Sequence, residues 1–310
     1  MGEATAEACA AAADSLKRFF CIFKEMKKLP HCDALVLEGG SLRCAFTAGV
    51  LDTFAALDYR PFHHYFGVSA GSMAMTSFLS GQRGHFIELS EQLVEDGKFI
   101  SFGSVMSDEG LMNLAHLAKV VSETSPIDWE AANRFIADKH VHVVTTDFET
   151  GEPHYIKPKR ENWIRAVLAS STLPMITRGK VKLDGKWMFD GGYSDPIPLR
   201  AALANGCSNI LVIRTRPKSE RVERDTLDWF ASYWFRDNHA VSGLFEKWHV
   251  MYNSLADVLE NDCGSGHQSW IQIAPSRPLR SDGYRITALD LRADYRHGIE
   301  QCMEWIHAQL

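Results

Sequence analysis

Short apolar runs alternate along this chain with stretches whose apolar residues recur at helical spacing. Ala34-Leu35-Val36-Leu37 reads as a buried strand, and Ala45, Ala48, Leu51, Phe54 and Ala55 follow it at helical spacing. His64 to Val68 reads as a second strand leading straight into Ser69, with a helical run through Met73, Met75 and Leu79 beyond it. Downstream the pattern predicts a strand at Val141-His142-Val143-Val144, a helix from Trp163 to Ser171, and a hairpin from Val181 to Phe189 turning at Asp184-Gly185. A strand at Ile210-Leu211-Val212-Ile213, helical patterns from about Leu227 to Leu259 and a late strand at Trp270-Ile271-Gln272-Ile273 follow.

Strands alternating with helices predict an α/β fold, with a mainly parallel sheet covered on both faces. No repeat, low-complexity tract or linker divides the chain, so residues 31–310 are read as one domain. Residues 1–30 are read as an amphipathic helical extension. From Ala4 to Lys28 its second half places Leu16, Phe19, Phe20, Phe23 and Met26 on one side, with Lys17, Lys24, Lys27 and Lys28 interleaved. Docking of that side on the body of the protein is the favoured reading, and contact with a membrane surface is the other.

Composition narrows the classes of partner. With 45% hydrophobic and 23% charged residues the chain can bury one large core, and a net charge of -6 leaves no basic excess to attract a nucleic acid. Seven cysteines, scattered and never in a C-x-x-C pair, suit a reducing cytoplasm better than a disulfide framework or a zinc site. No apolar run approaches the length of a membrane span, and Asp14, Lys17 and Arg18 interrupt the alanine-rich start where a signal peptide needs its apolar core. The expectation is a cytoplasmic protein with neither metal nor cofactor, open to peripheral contact with the inner face of the membrane. Oligomeric state is not readable from the sequence.

Three segments carry candidate chemistry. Gly67-Val68-Ser69-Ala70-Gly71 is a G-x-S-x-G between strand and helix, where a tight turn presents a serine hydroxyl and the helix N-terminus faces developing negative charge. Alone the pentapeptide is a weak signal; its context strengthens it. Gly39-Gly40-Ser41-Leu42-Arg43, also at a strand-to-helix junction, offers a row of amides for a phosphate or an oxyanion. Neither the Rossmann nor the P-loop spacing is present, which favours the oxyanion, with an ordinary tight turn as the alternative. Asp190-Gly191-Gly192 ends the hairpin; its glycines let a carboxylate face a neighbour closely, although Asp-Gly is commonest as a plain turn.

Taken in order, Glu38-Gly39-Gly40-Ser41-Leu42-Arg43, Gly67-Val68-Ser69-Ala70-Gly71, Ala169-Ser170-Ser171-Thr172-Leu173-Pro174 and Asp190-Gly191-Gly192 resemble the successive blocks of the bacterial patatin-like phospholipases, from about residue 33 to the C-terminus. The resemblance implies a three-layer α/β/α sandwich and hydrolysis of the fatty acyl esters of lipids without a metal. It also implies a Ser-Asp dyad of Ser69 and Asp190, and an oxyanion loop from Gly39 through Arg43. Ser41 and Cys44 stand where the family usually has glycine, so an amide at position 41 held at positive φ would be strained. An acyltransferase using the same dyad, or a catalytically weakened lipid-binding protein, are the alternative functions.

Other candidates receive plainer readings. His249, His267 and His297 follow both Ser69 and Asp190, as an α/β-hydrolase triad requires, but only one convincing strand precedes the one carrying Ser69; they are read as surface or packing residues. Cys44 is read as a small buried residue and Asp147, the rival to Asp190, as a turn residue. The aromatic stretch Trp229, Phe230, Tyr233, Trp234 and Phe235 fits a lipid surface, an acyl groove, core packing or a subunit contact.

Overall fold

In a computed structural model the described residues are 29–99, 112–177, 179–261, 264, 267–283 and 285–310. The helix predicted from Ala4 to Lys28 lies outside them. Strand β1 (Ala34–Leu37) passes through the loop at Gly39 and Gly40 into helix α1 (Cys44–Ala56), and β2 (His64–Val68) passes through Ser69 into α2 (Ala70–Leu79). Three helices follow: α3 (His85–Glu95), α4 (Leu114–Glu123) and α5 (Trp129–Phe135). Then come β3 (His140–Asp147), β4 (Pro153–Ile156), α6 (Trp163–Ser170) and the hairpin β5 (Val181–Leu183) and β6 (Lys186–Asp190). The chain ends with α7 (Leu199–Ala204), β7 (Asn209–Ile213), α8 (Thr226–Trp234), α9 (His239–Asn261), β8 (Ser269–Ile273) and α10 (Ala288–Gln309).

The eight strands form one mixed sheet in the order β5-β6-β3-β2-β1-β7-β8, with β4 paired to β3. Strands β3, β2, β1, β7 and β8 are parallel, and the hairpin and β4 run antiparallel to their neighbours. Side-chain alternation explains the layers: Leu35, Leu37, Leu211 and Ile213 point into a core shared with α1, α2, α6 and α10, whereas Ala34, Val36, Ile210 and Val212 point into a core shared with α7 and α9. Both faces are therefore covered, in the sandwich that the continuous apolar runs anticipate.

One pairing positions the site. Val144 of β3 pairs with Val68 on one edge and with Tyr155 on the other, and the next residue, Thr145, pairs with His154 and with Asp190. A strand has only two edges, so β6 takes over the edge of β3 that β2 leaves. The residue after β2, Ser69, and the last residue of β6, Asp190, consequently arrive side by side.

Several boundaries depart from expectation. The helical patterns from about Leu227 to Leu259 form two helices, α8 and α9, divided where the Asn238 side chain accepts from the Val241 amide and donates to the Phe148 carbonyl. Strand β4 opens on a proline and has no apolar run to announce it. Helix α10 buries Asp294, His297 and Gly298 along with Leu291, Cys302, Trp305 and Ile306, so its inner face is not marked by apolar residues alone; its start is a capping box between Thr287 and Asp290. At the predicted hairpin turn Asp184 and Gly185 both have positive φ, 49° and 84°, as a two-residue turn between twisted strands requires.

Candidate active site

Ser69 sits at φ 51° and ψ -132°, a conformation costly for any residue with a Cβ. The glycines on either side make it sterically possible. A Cβ at Gly67 would lie 2.8 Å from the Ser72 Cα, and one at Gly71 would lie 2.6 Å from the Glu38 carbonyl oxygen, so the turn can press directly onto β1 and α2. Gly191 is equally constrained: its Cβ would meet the Val144 carbonyl oxygen at 2.2 Å.

The Ser69 hydroxyl donates to Asp190 Oδ2 at 2.7 Å, and Oδ1 of the same carboxylate accepts from the Gly192 amide at 2.8 Å. Both residues are buried, Asp190 almost completely. Burial pushes the Asp190 carboxyl up to about 7, against the opposing pull of its bonds from Ser69 and Gly192. Such a group releases and accepts a proton near neutral pH, as a general base must. Gly192 is held in turn by Trp248, whose Nε1 donates to its carbonyl at 2.7 Å.

Beside the hydroxyl, Gly39, Gly40, Ser41 and Arg43 line the same cavity of about 280 Å³ as Ser69 and Asp190. The Arg43 amide closes a turn onto the Gly40 carbonyl at 3.0 Å, leaving the preceding amides at the free start of a helix. Ser41 does take positive φ, 51°, at a cost of about 1–2 kcal/mol for a residue with a Cβ. Cys44, by contrast, has an ordinary helical φ of -66°, so nothing about its backbone calls for glycine. Arg43 donates to Asp282 Oδ1 at 2.6 Å, which ties the loop to the segment before α10. A narrow apolar pocket of about 40 Å³, lined by Met73, Phe86, Leu89, Leu93, Leu117 and Leu173, also opens on Ser69.

Sequence reasoning overlooked the residues that hold this arrangement. Ser170 Oγ accepts from the Ser69 amide at 2.7 Å and donates to the Val144 carbonyl at 2.5 Å, and the Thr172 carbonyl accepts from the Asp190 amide at 2.8 Å. One short segment thus fixes both members of the pair, and it withdraws the Ser69 amide from any role with substrate. The block Ala169 to Pro174 was visible in the sequence, but no pattern within it shows what it bonds. Glu38 was also missed as a support. Its carboxylate accepts from the Thr215 amide at 2.7 Å and from the Tyr252 hydroxyl at 2.6 Å, anchoring the start of the loop to β7 and α9.

Ser170→Ala tests the positioning role. It leaves a buried amide without its acceptor, and kcat on a soluble ester is expected to fall about tenfold or more with KM nearly unchanged. Ser170→Thr, which keeps a hydroxyl, should restore most of the rate; equal loss in both variants would mark the position as one of packing.

The remaining candidates fall where packing places them. Asp147 accepts from the Glu149 and Thr150 amides and from Lys186, the bonds of a turn residue. Burial pushes the Cys44 thiol up to about 12, so it stays protonated. His297 is buried beside Phe46 and near Ser276, and the recorded bonds of Ser69 run to Asp190, Ser170 and Ser72, none of them an imidazole.

The family model described as patatin-like phospholipase matches residues 35–203. The chain is 31% identical over 272 residues to a protein of Escherichia coli (strain K12) described as uncharacterized protein YjjU, covering 86% of this chain and 74% of that one. Among solved structures it is similar to the crystal structure of VipD from Legionella pneumophila, with a TM-score of 0.45 and 12% identity, covering 90% of this chain and 67% of that one.

Proposed function

Because this chain belongs to the patatin-like phospholipase family, a family of lipid acyl hydrolases, we propose that it cleaves fatty acyl esters of lipids through an acyl-enzyme on Ser69, with Asp190 as the base. The observation that carries this reading is the 2.7 Å hydrogen bond from the Ser69 hydroxyl to a buried carboxylate whose proton affinity is matched to neutral pH. Ser69 Oγ attacks the ester carbonyl carbon as its proton passes to Asp190 Oδ2, and the carbonyl oxygen becomes an oxyanion facing the amides near Gly39 to Ser41. Collapse expels the alcohol, which takes the proton from Asp190. Water then attacks the acyl-enzyme, gives a proton to Asp190, and the second collapse releases the fatty acid and returns the proton to Ser69.

The apolar pocket beside Ser69 gives the acyl tail an apolar entrance but, at about 40 Å³, holds only its first carbons without widening, and the larger cavity bounded by Arg43, Arg216 and Trp248 takes the polar part of the substrate. Residues beyond 203 belong to the same catalytic unit on this reading. Strands β7 and β8 extend the sheet, α9 supplies Trp248 and Tyr252, and α10 covers α1, so residues 31–310 act as one domain.

A fluorophosphonate should add to the full-length protein once, on the peptide containing Ser69, and the protein should hydrolyse medium- or long-chain esters. Ser69→Ala should lose both properties. Labelling on another residue, or ester hydrolysis that survives the substitution, would remove Ser69 from the mechanism.

A further inference from the structure

Helix α8 presents two faces to different surroundings. Asp225, Leu227 and Asp228 at its start line the cavity that contains Ser69 and Asp190, while Trp229, Phe230, Tyr233 and Trp234 are exposed by 44–63%. The four aromatics form two groups along the helix: Trp229 and Tyr233 are stacked at 6.4 Å, and Phe230 and Trp234 lie 6.1 Å apart. Trp187 on the β5–β6 hairpin is also exposed. Between helix and hairpin lies a hollow of about 670 Å³ whose walls include Phe148, Pro174, Met175, Phe230, Trp234 and Phe235. Leu173 and Ile176 face the catalytic cavity while Pro174 and Met175 face this hollow, so the two spaces share one wall.

We propose that α8 and the β5–β6 hairpin form a face that seats the protein on an anionic phospholipid bilayer, with the catalytic cleft opening beside it. The proposal rests on the acyl-hydrolase reading for its account of why a docking face adjoins this cleft. A cluster of exposed aromatics of this size is uncommon on a soluble surface, and tryptophan and tyrosine, with apolar bodies and polar tips, favour the headgroup level of a bilayer.

The cations at the margin point to the same partner. Lys180 Nζ lies 3.8 Å from the centre of the Phe148 ring and 5.1 Å from that of Trp187, Lys182 lies 5.7 Å from Trp187, and Arg236 lies 4.8 Å from Tyr233. The charged groups themselves sit over the rings, so they belong to the aromatic surface, and their remaining N–H donors can still meet a phosphate. The acids on and beside these two elements include Asp184, Asp190, Asp225, Asp228 and Asp237, of which Asp190, Asp225 and Asp228 line the catalytic cavity; in a protein of net charge -6, cations gathered among aromatics here run against the average of the surface. A zwitterionic or anionic lipid surface accepts the aromatics alike; only an anionic one rewards the lysines. No helix among the described residues is long and apolar enough to cross a membrane, so the contact is peripheral.

The test is co-sedimentation of the full-length protein with vesicles of phosphatidylcholine containing about one third phosphatidylglycerol, beside pure phosphatidylcholine. The wild type should bind the mixed vesicles more tightly, and less so as salt rises. Trp229→Ser with Trp234→Ser should reduce the bound fraction and the hydrolysis of vesicle lipid about tenfold or more. Its thermal midpoint and its hydrolysis of a soluble short-chain ester should not change. Lys180→Glu with Lys182→Glu should abolish the preference for the mixed vesicles. Wild-type protein that ignores both vesicle types, an aromatic double variant that binds and turns over vesicle lipid normally, or a wild-type dimer that this variant converts to a monomer would each overturn the proposal. Loss of soluble-ester hydrolysis in the wild type, with vesicle binding intact, would instead count against the acyl-hydrolase reading alone.

Discussion

Asp190→Asn is expected to lower kcat/KM about 10²–10⁴-fold while making the protein more resistant to heat. Asparagine preserves the shape of the side chain and its bond from the Gly192 amide, but it cannot take the Ser69 proton. Its amide nitrogen would donate to the hydroxyl oxygen, engaging the lone pair that must attack. The gain in stability has a separate cause. Burial raises the carboxyl from 3.8 to about 7, so between those values the folded protein holds a proton that the unfolded chain has released. Stability therefore falls as pH rises through that window, and above about 7 the folded state bears the full cost of an ionised buried group. A neutral amide bears none of it, and the midpoint of thermal unfolding at pH 8 should rise by roughly 5 °C. The wild-type rate on a soluble ester should itself climb with pH along a limb centred near 7, since only the carboxylate accepts the proton. Activity in the asparagine variant within tenfold of wild type, or a flat wild-type profile from pH 5 to pH 8, would exclude Asp190 as base.

The second large effect is expected far from the chemistry. Gly298→Ala places a Cβ 2.1 Å from the Phe46 carbonyl oxygen, and Gly49→Ala places one 2.0 Å from the Tyr295 carbonyl oxygen. Both obstacles are backbone of the opposing helix, so α1 and α10 must separate. Overpacking of this kind costs about 1–3 kcal/mol and more where backbone cannot yield, against a gain of about 1 kcal/mol from the better helix propensity of alanine. Each variant should lose about 2–3 kcal/mol in urea unfolding. The double variant should lose less than the sum, because one separation relieves both contacts. Unchanged midpoints would mean that the helices do not cross as closely as their glycines allow. Since α1 begins where the oxyanion loop ends, the folded fraction of either variant should still react with a fluorophosphonate, though more slowly.

The elements around the site were readable because their local patterns were unambiguous. Four-residue apolar runs marked β1 and β7, an Asp-Gly pair marked the hairpin, and glycines beside Ser69 marked a turn that only they permit. Elements placed by partners distant in the chain were harder to read. Strand β4 is recruited by pairing to β3, and α10 approaches α1 most closely at Gly298, a residue that ordinarily argues against a helix. The break between α8 and α9 depends on Asn238 reaching the Phe148 carbonyl, ninety residues earlier in the chain.

Periodicity and turn chemistry alone thus determined that this chain builds a covered, mainly parallel sheet with a serine, an acid and a glycine loop each at the end of a strand, because those preferences act over a few residues. Tertiary structure decided that the three meet. The register of β3 carries Val144 beside Val68 and Thr145 beside Asp190, and Ser170 with Thr172 holds both reacting groups to one segment. It also decided the proton affinity of Asp190, since that depends on how much water the folded protein excludes, a quantity that no stretch of sequence possesses by itself.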